Sequence, residues 1–284
     1  MALLPAATAV ARDALVNADL VVFAHLPKTG GTTLQTIIAP VYGRENCIIG
    51  GGRVEKYERQ IEALAEATPA TRAIAGHFFP GVDAAVHRRG RYVTLLRDPV
   101  DRATSHYFHT LREAAPHELI HEMPMTDFIA QHDVWHNYAC RFLASRFGEP
   151  LCPNKDGILA RAQETLETFE VVGLSERFDA SLLLMARRLG WIRPWYRDHN
   201  RNPSRARVEE LPRELVGLLT SLNNLDMELY RWASARFEAE VGAQGVSFRL
   251  ATAAFPAVNS VAILGAERLA KLRRRYPGHF QRRS

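Results

Sequence analysis

A cluster of lysine, glycine and threonine near the N-terminal end of the chain has the residue types of an anion-binding loop. It reads Pro-Lys-Thr-Gly-Gly-Thr-Thr from residue 27, between a predicted strand over 20–26 and a helical stripe that begins at Leu34. The first amides of such a helix bind anions, the lysine adds a positive charge, and the glycines let the backbone approach a ligand closely. A plain tight turn is the alternative. The candidate binding residues are Lys28, Thr29, Gly30, Gly31, Thr32 and Thr33.

The loop differs from the nucleotide P-loop, GxxxxGK[ST], in the position of its lysine. Lys28 precedes the two glycines, whereas the P-loop lysine follows them at the start of the helix. Lys28 would therefore reach an anion from the entry side of the loop, and Thr32 or Thr33 would not take the place of the P-loop residue that holds magnesium. We expect an anion site that requires no metal.

A second motif follows a predicted strand over 92–96 and reads RDPVDRATSHY from Arg97. Asp98 is suited to cap a helix that begins at the next residue, a proline. Arg97 and Ser105 could then grip a phosphate together, the guanidinium in a bidentate pair and the hydroxyl through one bond. The alternative is that Arg97 pairs with Asp98 or Asp101 and that Ser105 is merely solvated. We expect four side chains of this helix to face away from the core: Arg102, Ser105, His109 and Arg112.

Strands alternate with helices along the sequence. Short apolar segments predict strands, and longer stretches with apolar residues at three- and four-residue spacing predict helices. This alternation predicts an α/β fold with a mostly parallel sheet covered by helices on both faces. Ligands of such sheets bind beyond the carboxyl ends of the strands, where both motifs lie. The predicted strands cover residues 20–26, 72–76, 92–96 and 170–174, and the predicted helices after the second motif cover 125–147, 158–169, 178–189 and 211–241.

The two motifs together resemble those of the sulfotransferase family that uses 3′-phosphoadenosine 5′-phosphosulfate (PAPS), over about residues 20–240. The resemblance implies a P-loop-NTPase-like sheet. It also implies that the loop over 28–33 surrounds the 5′-phosphosulfate, that Arg97 and Ser105 hold the 3′-phosphate, and that the nucleotide product is PAP. Gly31 stands where many relatives have alanine, a mild departure from the family pattern that leaves the resemblance unchanged.

Further segments are similar to the carbohydrate O-sulfotransferase branch that includes the uronyl and heparan sulfate 2-O-sulfotransferases, and to its bacterial relatives. Gly76-His77 matches a GH motif whose histidine is the catalytic base in that branch. Residues 137–144 (NYACRFLA) and 172–176 (VGLSE) are similar to its NYxxRxLAG and VGxxE segments. The segment 200–205 stands where relatives carry a loop that closes over the nucleotide, and the resemblance extends cofactor binding to Ser204 and Arg205.

The expected reaction is in-line transfer of the sulfuryl group of PAPS to a hydroxyl acceptor. Like phosphoryl transfer, it requires alignment of the reacting groups and stabilisation of the charge that develops on the leaving group. Lys28 would stabilise charge on the bridging oxygen, and His77, whose ordinary pKa is about 6.5, would accept the proton of the hydroxyl. A capping or core position is the alternative for His77. We expect His25 to be structural or to support the site without contacting the substrate, and direct action on the acceptor is the alternative. We expect His106 and His109 to border the nucleotide.

Two other functions stay open. A P-loop kinase or NTPase would use residues 95–98 as a Walker-B-like strand with Asp98 near magnesium, but the position of Lys28 and the proline after Asp98 argue against it. A non-catalytic polyanion-binding protein would explain the seven Lys/Arg, with no Asp or Glu, in residues 268–284. A polyanion-binding protein would not require two separate phosphate motifs, nor a histidine at the end of a strand beside them.

The composition suits a globular protein with an anionic ligand. The formal net charge is +5, and four of the 36 basic residues are lysines, a bias that a GC-rich coding sequence would also explain. We expect no secretory signal, no membrane span, a cytoplasmic location, and one domain over 1–245 followed by an extension over 246–284 that ends in a basic tail. The expected partner is a hydroxyl-bearing small molecule or glycan, and no nucleic acid.

Overall fold

A parallel sheet organises the protein. The computed structural model describes residues 20–50, 62, 64–115, 117–197 and 206–275. Within these residues five strands form one sheet in the order β2-β3-β1-β4-β5, and every neighbouring pair is parallel. The predicted α/β class with a parallel sheet is confirmed. The strands are β1 (Leu20–Ala24), β2 (Cys47–Ile49), β3 (Ala73–Gly76), β4 (Gly90–Leu96) and β5 (Val171–Leu174).

The burial of the strands shows that both faces of the sheet are covered. Every residue of β1, β3 and β5 is buried, and successive side chains of a strand point to opposite faces. This pattern is typical of parallel sheets, whose strands read as continuous apolar runs. The sequence did not predict β2, because this edge strand has only three residues and only one of them is buried.

Nine α-helices lie in the described part of the chain. The single helical stretches predicted over 125–147 and 211–241 are two helices each, because the backbone leaves helical geometry at His132 (φ −104°, ψ 64°) and at Asn223 (φ −120°). The helices are α1 (Gly31–Tyr42), α2 (Pro99–Glu113), α3 (Met125–Gln131), α4 (Tyr138–Ala144), α5 (Ile158–Glu167), α6 (Phe178–Leu189), α7 (Arg213–Leu222), α8 (Asn224–Ala243) and α9 (Gly245–Arg275).

The strand order places the two sequence motifs next to each other. The chain leaves β1 through α1 toward β2 on one side of the sheet, and it leaves β4 through α2 toward β5 on the other side. Strands β1 and β4 are neighbours, so the connections diverge between their carboxyl ends. Such a divergence opens a crevice, which is the usual ligand site of an open parallel sheet.

One predicted orientation on α2 is wrong. Arg102 was expected to face away from the core, but only 1% of it is exposed. Its Nη2 atom lies 3.6 Å from a carboxylate oxygen of Asp226 on α8, and its guanidinium lies over the ring of Tyr138. Since α8 packs against this side of α2 and supplies an acid, the guanidinium is buried with its charge paired.

Helix α9 bears on the sequence expectation of no membrane span, which stays a prediction. Among the described residues, Gly245–Lys271 has the length and apolar composition to cross a bilayer, with a mean hydropathy of 1.3 and 11% of its window buried. The sequence prediction treated Pro256 as an interruption, whereas the helix continues through it. The first half of α9 is attached to the main core through Phe248 and Phe255. The division of the chain after residue 245 stays a prediction.

Candidate functional site

The loop between β1 and α1 has the backbone of an anion site. Lys28 and Gly30 both adopt positive φ angles, 70° and 81°, and Gly30 is the N-cap of α1 without any side-chain cap. The hydroxyl of Thr29 donates to the carbonyl of Leu26 at 2.8 Å, which fixes the loop from inside. The first amides of an α-helix have no partner within the helix, so those of α1 can bind an anion. Among the described residues, no atom lies within 4 Å of a Cβ atom placed at Gly30, so none of them fills the space in front of the loop.

Gly31 makes room for the ring of His25. A Cβ atom at position 31 would lie 2.0 Å from Cδ2 of His25, far inside van der Waals contact. His25 is 6% exposed, and its ring is stacked on both Phe23 and His77. Alanine at this position would therefore not be neutral in this chain. The glycine permits a close contact between the loop and the residue that follows β1.

His77 lies at the carboxyl end of β3, and its hydrogen bond selects one tautomer of the imidazole ring. Its Nδ1 atom is 2.7 Å from the carbonyl oxygen of His25. A carbonyl only accepts hydrogen bonds, so Nδ1 carries a proton and Nε2 of the neutral ring is the acceptor. The ring stacks on that of His25 with 4.4 Å between centroids. This is the arrangement that a general base requires.

The charge of Lys28 and the burial of the rings both act on the two histidines. Burial lowers the pKa of His77 below 6.5, and the positive charge of Lys28 lowers it further, while the bond to the His25 carbonyl acts in the opposite direction. The pKa of His25 is lowered well below its ordinary value, first by burial and then by His77 and Lys28. Nδ1 of His25 is buried, and no described residue forms a hydrogen bond with it. Both rings are therefore neutral near pH 7.

Arg97 joins the two motifs. Its Nη1 donates to the carbonyl of Lys28 at 2.9 Å, and its Nε and Nη2 lie 2.7 and 2.6 Å from Oδ2 of Asp101. The alternative in which Arg97 pairs with Asp101 is therefore the arrangement in this structure. The side chain of Asp98 accepts from the Asp101 amide at 3.0 Å, as a helix cap does. Ser105 is partly exposed on α2, one turn beyond Asp101.

Ser175 and Glu176 support the site, a role that sequence reasoning missed. The Ser175 hydroxyl lies 2.6 Å from the carbonyl of Thr29 and 3.0 Å from that of Leu96, so it holds together the loops that follow β1 and β4. Glu176 accepts the amide of Asp98 at 2.8 Å. The sequence indicates this segment as the end of a predicted strand and through its resemblance, and neither assigns a role to the two side chains. Its position directly after a buried strand was the available signal.

The remaining predicted residues are less tightly connected to this group. Thr32 is exposed on α1 and Thr33 is buried. His106 packs against Trp135 with 3.7 Å between centroids, and its pKa is lowered to about 3, mainly by burial. His109 hydrogen-bonds with Arg112 on the exposed side of α2. Ser204 and Arg205 lie outside the described residues.

The structure thus brings together Lys28, His25, His77 and Arg97 at the carboxyl ends of β1, β3 and β4. Among the residues that it describes, no group of three or more His, Cys, Asp or Glu could hold a metal ion. A family model described as galactose-3-O-sulfotransferase matches residues 4–254 of the sequence. Comparison with individual curated proteins finds no match.

Proposed function

Since the chain belongs to the galactose-3-O-sulfotransferase family, a family of carbohydrate sulfotransferases, we propose that it transfers the sulfuryl group of PAPS to a sugar hydroxyl with His77 as general base. The observation that carries this proposal is the hydrogen bond from His77 Nδ1 to the carbonyl of His25, at 2.7 Å, next to an uncapped helix N terminus. It combines an oriented base with an anion site at one edge of the sheet.

The residues of the first loop fit the phosphosulfate end of PAPS. The positive φ angles of Lys28 and Gly30 are those of backbone concavities that bind anions, and no described residue fills the space in front of Gly30. Lys28 adds a charge that would attract the donor. When bound, PAPS supplies an activated sulfuryl group and leaves as PAP. No metal is required in this proposal.

Arg97 and Ser105 fit the 3′-phosphate only if Asp101 releases part of the guanidinium. Arg97 is already oriented by Lys28 and Asp101, so it needs little reorganisation to meet a phosphate. An oxygen of the phosphate would replace a carboxylate oxygen of Asp101, which conserves a charge-assisted pair. The resemblance adds Ser204 and Arg205 to this side.

The chemistry of the chain's own residues then follows from their positions. Nε2 of His77 accepts the proton of the sugar hydroxyl as the oxygen attacks the sulfur. The positive charge of Lys28 stabilises the negative charge that grows on the departing phosphate. It also holds the pKa of His77 low, which keeps the base unprotonated before the reaction. The family description names the 3-hydroxyl of galactose, which is the first acceptor to test.

The kinase alternative has less support. Its magnesium ligand would be Asp98, whose side chain is used to cap α2. Calorimetric titration separates the two: the sulfotransferase should bind PAP without metal, and a kinase should require ATP with magnesium. Binding of ATP with magnesium, without binding of PAP, would overturn the proposal.

Activity is tested by transfer of radioactive sulfate from PAPS to β-galactosides. His77→Asn retains an N–H that can reach the carbonyl of His25 but removes Nε2, so the turnover should fall by about 10²–10⁴-fold. His87→Asn is the matched control, because His87 is exposed and has a positive φ angle of 52° that asparagine tolerates. A near-normal rate for His77→Asn would place the base elsewhere.

A further inference from the structure

Helix α9 carries apolar side chains on two opposite faces. Phe248 and Phe255, two turns apart, are buried in the main core. Four other apolar residues of the helix are between 55% and 71% exposed: Val246, Leu250, Val261 and Leu264. At about 100° per residue, all four lie within about 40° of the line opposite Phe248. They form one outward row, about 27 Å long at a rise of about 1.5 Å per residue.

Basic residues continue this row beyond its apolar part. Arg268, Lys271 and Arg275 are exposed and fall on the same side of the helix as Leu264. No Asp or Glu occurs in residues 268–284. The acid just before them, Glu267, lies 2.6 Å from Arg197 on the body of the protein. The outward face is therefore apolar along most of its length and cationic at its C-terminal end.

The inner face of α9 is held by the body of the protein. Besides the two phenylalanines, Asn259 exchanges two hydrogen bonds of 2.9 Å with the backbone of Tyr196. With the ion pair of Glu267, these contacts extend over most of the apolar stretch. A helix that crossed a bilayer would have to give up all of them. The outward row can meet another surface without loss of these contacts, so a helix held in this way would lie along that surface and would not cross it.

We propose that the outward row of α9, defined by Val246, Leu250, Val261, Leu264, Arg268, Lys271 and Arg275, docks the protein on a membrane surface that contains anionic lipids. The apolar part would enter the boundary between headgroups and acyl chains, and the cations would meet the lipid phosphates and carboxylates. This inference goes beyond the proposed reaction and does not depend on it. It is compatible with the predicted cytoplasmic location, since anionic lipids concentrate in the cytoplasmic leaflet.

Charge complementarity favours lipid over a second copy of the chain. A parallel pairing of two rows would bring their cationic ends together, and an antiparallel pairing would place those cations against the apolar start of the partner row. Neither arrangement offers an acid to the cations. An anionic bilayer satisfies both parts of the row at once.

The test is co-sedimentation of the full chain with vesicles of phosphatidylserine and phosphatidylcholine, and with vesicles of phosphatidylcholine alone. The chain should sediment with the anionic vesicles and dissociate as salt is raised. Substitution of Arg268, Lys271 and Arg275 by glutamine should weaken partitioning by about a hundredfold, about fivefold for each cation. Val261→Glu combined with Leu264→Glu should abolish it.

Leu119→Glu is the matched control, because Leu119 is 73% exposed and lies outside α9. It should bind vesicles as the wild type does, and all variants should keep the wild-type thermal unfolding. No sedimentation of the wild type with anionic vesicles would overturn the proposal, and so would unchanged binding of the triple glutamine variant. A dimer in analytical ultracentrifugation that Val261→Glu with Leu264→Glu dissociates would show that a second copy covers the row instead.

Discussion

The guanidinium of Arg97 donates to the backbone carbonyl of Lys28 at 2.9 Å, which ties the loop after β4 directly to the loop after β1. Asp101 holds the other edge of the same guanidinium. Together with Ser175, this side chain fixes the separation of the two loops that the resemblance assigns to the two ends of PAPS. The fork geometry of arginine is needed for this, because lysine has no planar pair of donors.

Arg97→Lys should weaken PAP binding by about 2 kcal/mol, although the positive charge is kept, because the bidentate geometry and the bond to Lys28 are lost. The measurement is calorimetric titration with PAP. Arg112→Lys, on the exposed end of α2, is the control and should bind PAP as the wild type does. Equal PAP affinities for Arg97→Lys and the wild type would remove Arg97 from the site.

The acid limb of kcat/KM should lie below pH 6.5. A base must be unprotonated, and burial together with Lys28 lowers the pKa of His77, so the active form persists to a lower pH than that of a free imidazole. The measurement is kcat/KM for sulfate transfer between pH 5 and 8, with PAPS saturating. A limb centred above pH 6.5 would indicate that another group is the base.

Gly31→Ala should destabilise the protein by about 1–3 kcal/mol, because the new methyl group overlaps the ring of His25. It should also lower turnover, since the displaced His25 carries the carbonyl that orients His77. Gly217→Ala, in the middle of α7 with open space around the new Cβ, is the control and should be neutral or slightly stabilising. The free energy of unfolding in urea measures both effects.

A double variant tests whether overlap with the His25 ring causes the loss of stability in Gly31→Ala. Gly31→Ala combined with His25→Ala should cost less stability than the sum of the single changes, because the overlap is absent once the ring is removed. Strict additivity of the two free energies would contradict the steric explanation.

His106 should make the protein less stable as the pH falls. Its folded pKa is lowered to about 3 from an ordinary 6.5, so below about pH 6.5 the unfolded chain takes up a proton that the folded chain does not. This group alone should lower the free energy of unfolding by about 2 kcal/mol between pH 7 and 5. His106→Phe should remove that part of the pH dependence, while His87→Asn should retain it. Unfolding in urea at the two pH values measures the difference.

The sequence predicted those parts of the site that depend on neighbouring residues. Asp98 caps α2 because an acid before a proline suits a helix start, and the two motifs lie together because parallel strands end at one edge of a sheet. The position of His77 after β3 was predicted for the same reason. Each of these follows from a short segment and the general geometry of the fold.

The parts that were not predicted depend on contacts between distant segments. The close packing of Gly31 against His25 requires the course of the loop in three dimensions. The burial of Arg102 requires Asp226, which arrives with a helix much later in the chain. The bridge from Ser175 to Thr29 and Leu96 requires the register of three strands. No periodicity in the sequence indicates any of these.

The orientation of His77 rests on a main-chain oxygen, where many hydrolytic enzymes employ an aspartate. An amide oxygen has no net charge, so it aligns the imidazole without adding an anion where a strongly anionic donor must arrive. A substitution of His25 also cannot remove this oxygen, because it belongs to the main chain. Such a substitution changes only the side chain that stacks on His77. Natural variation at position 25 would therefore tune the surroundings of the base more readily than its tautomer.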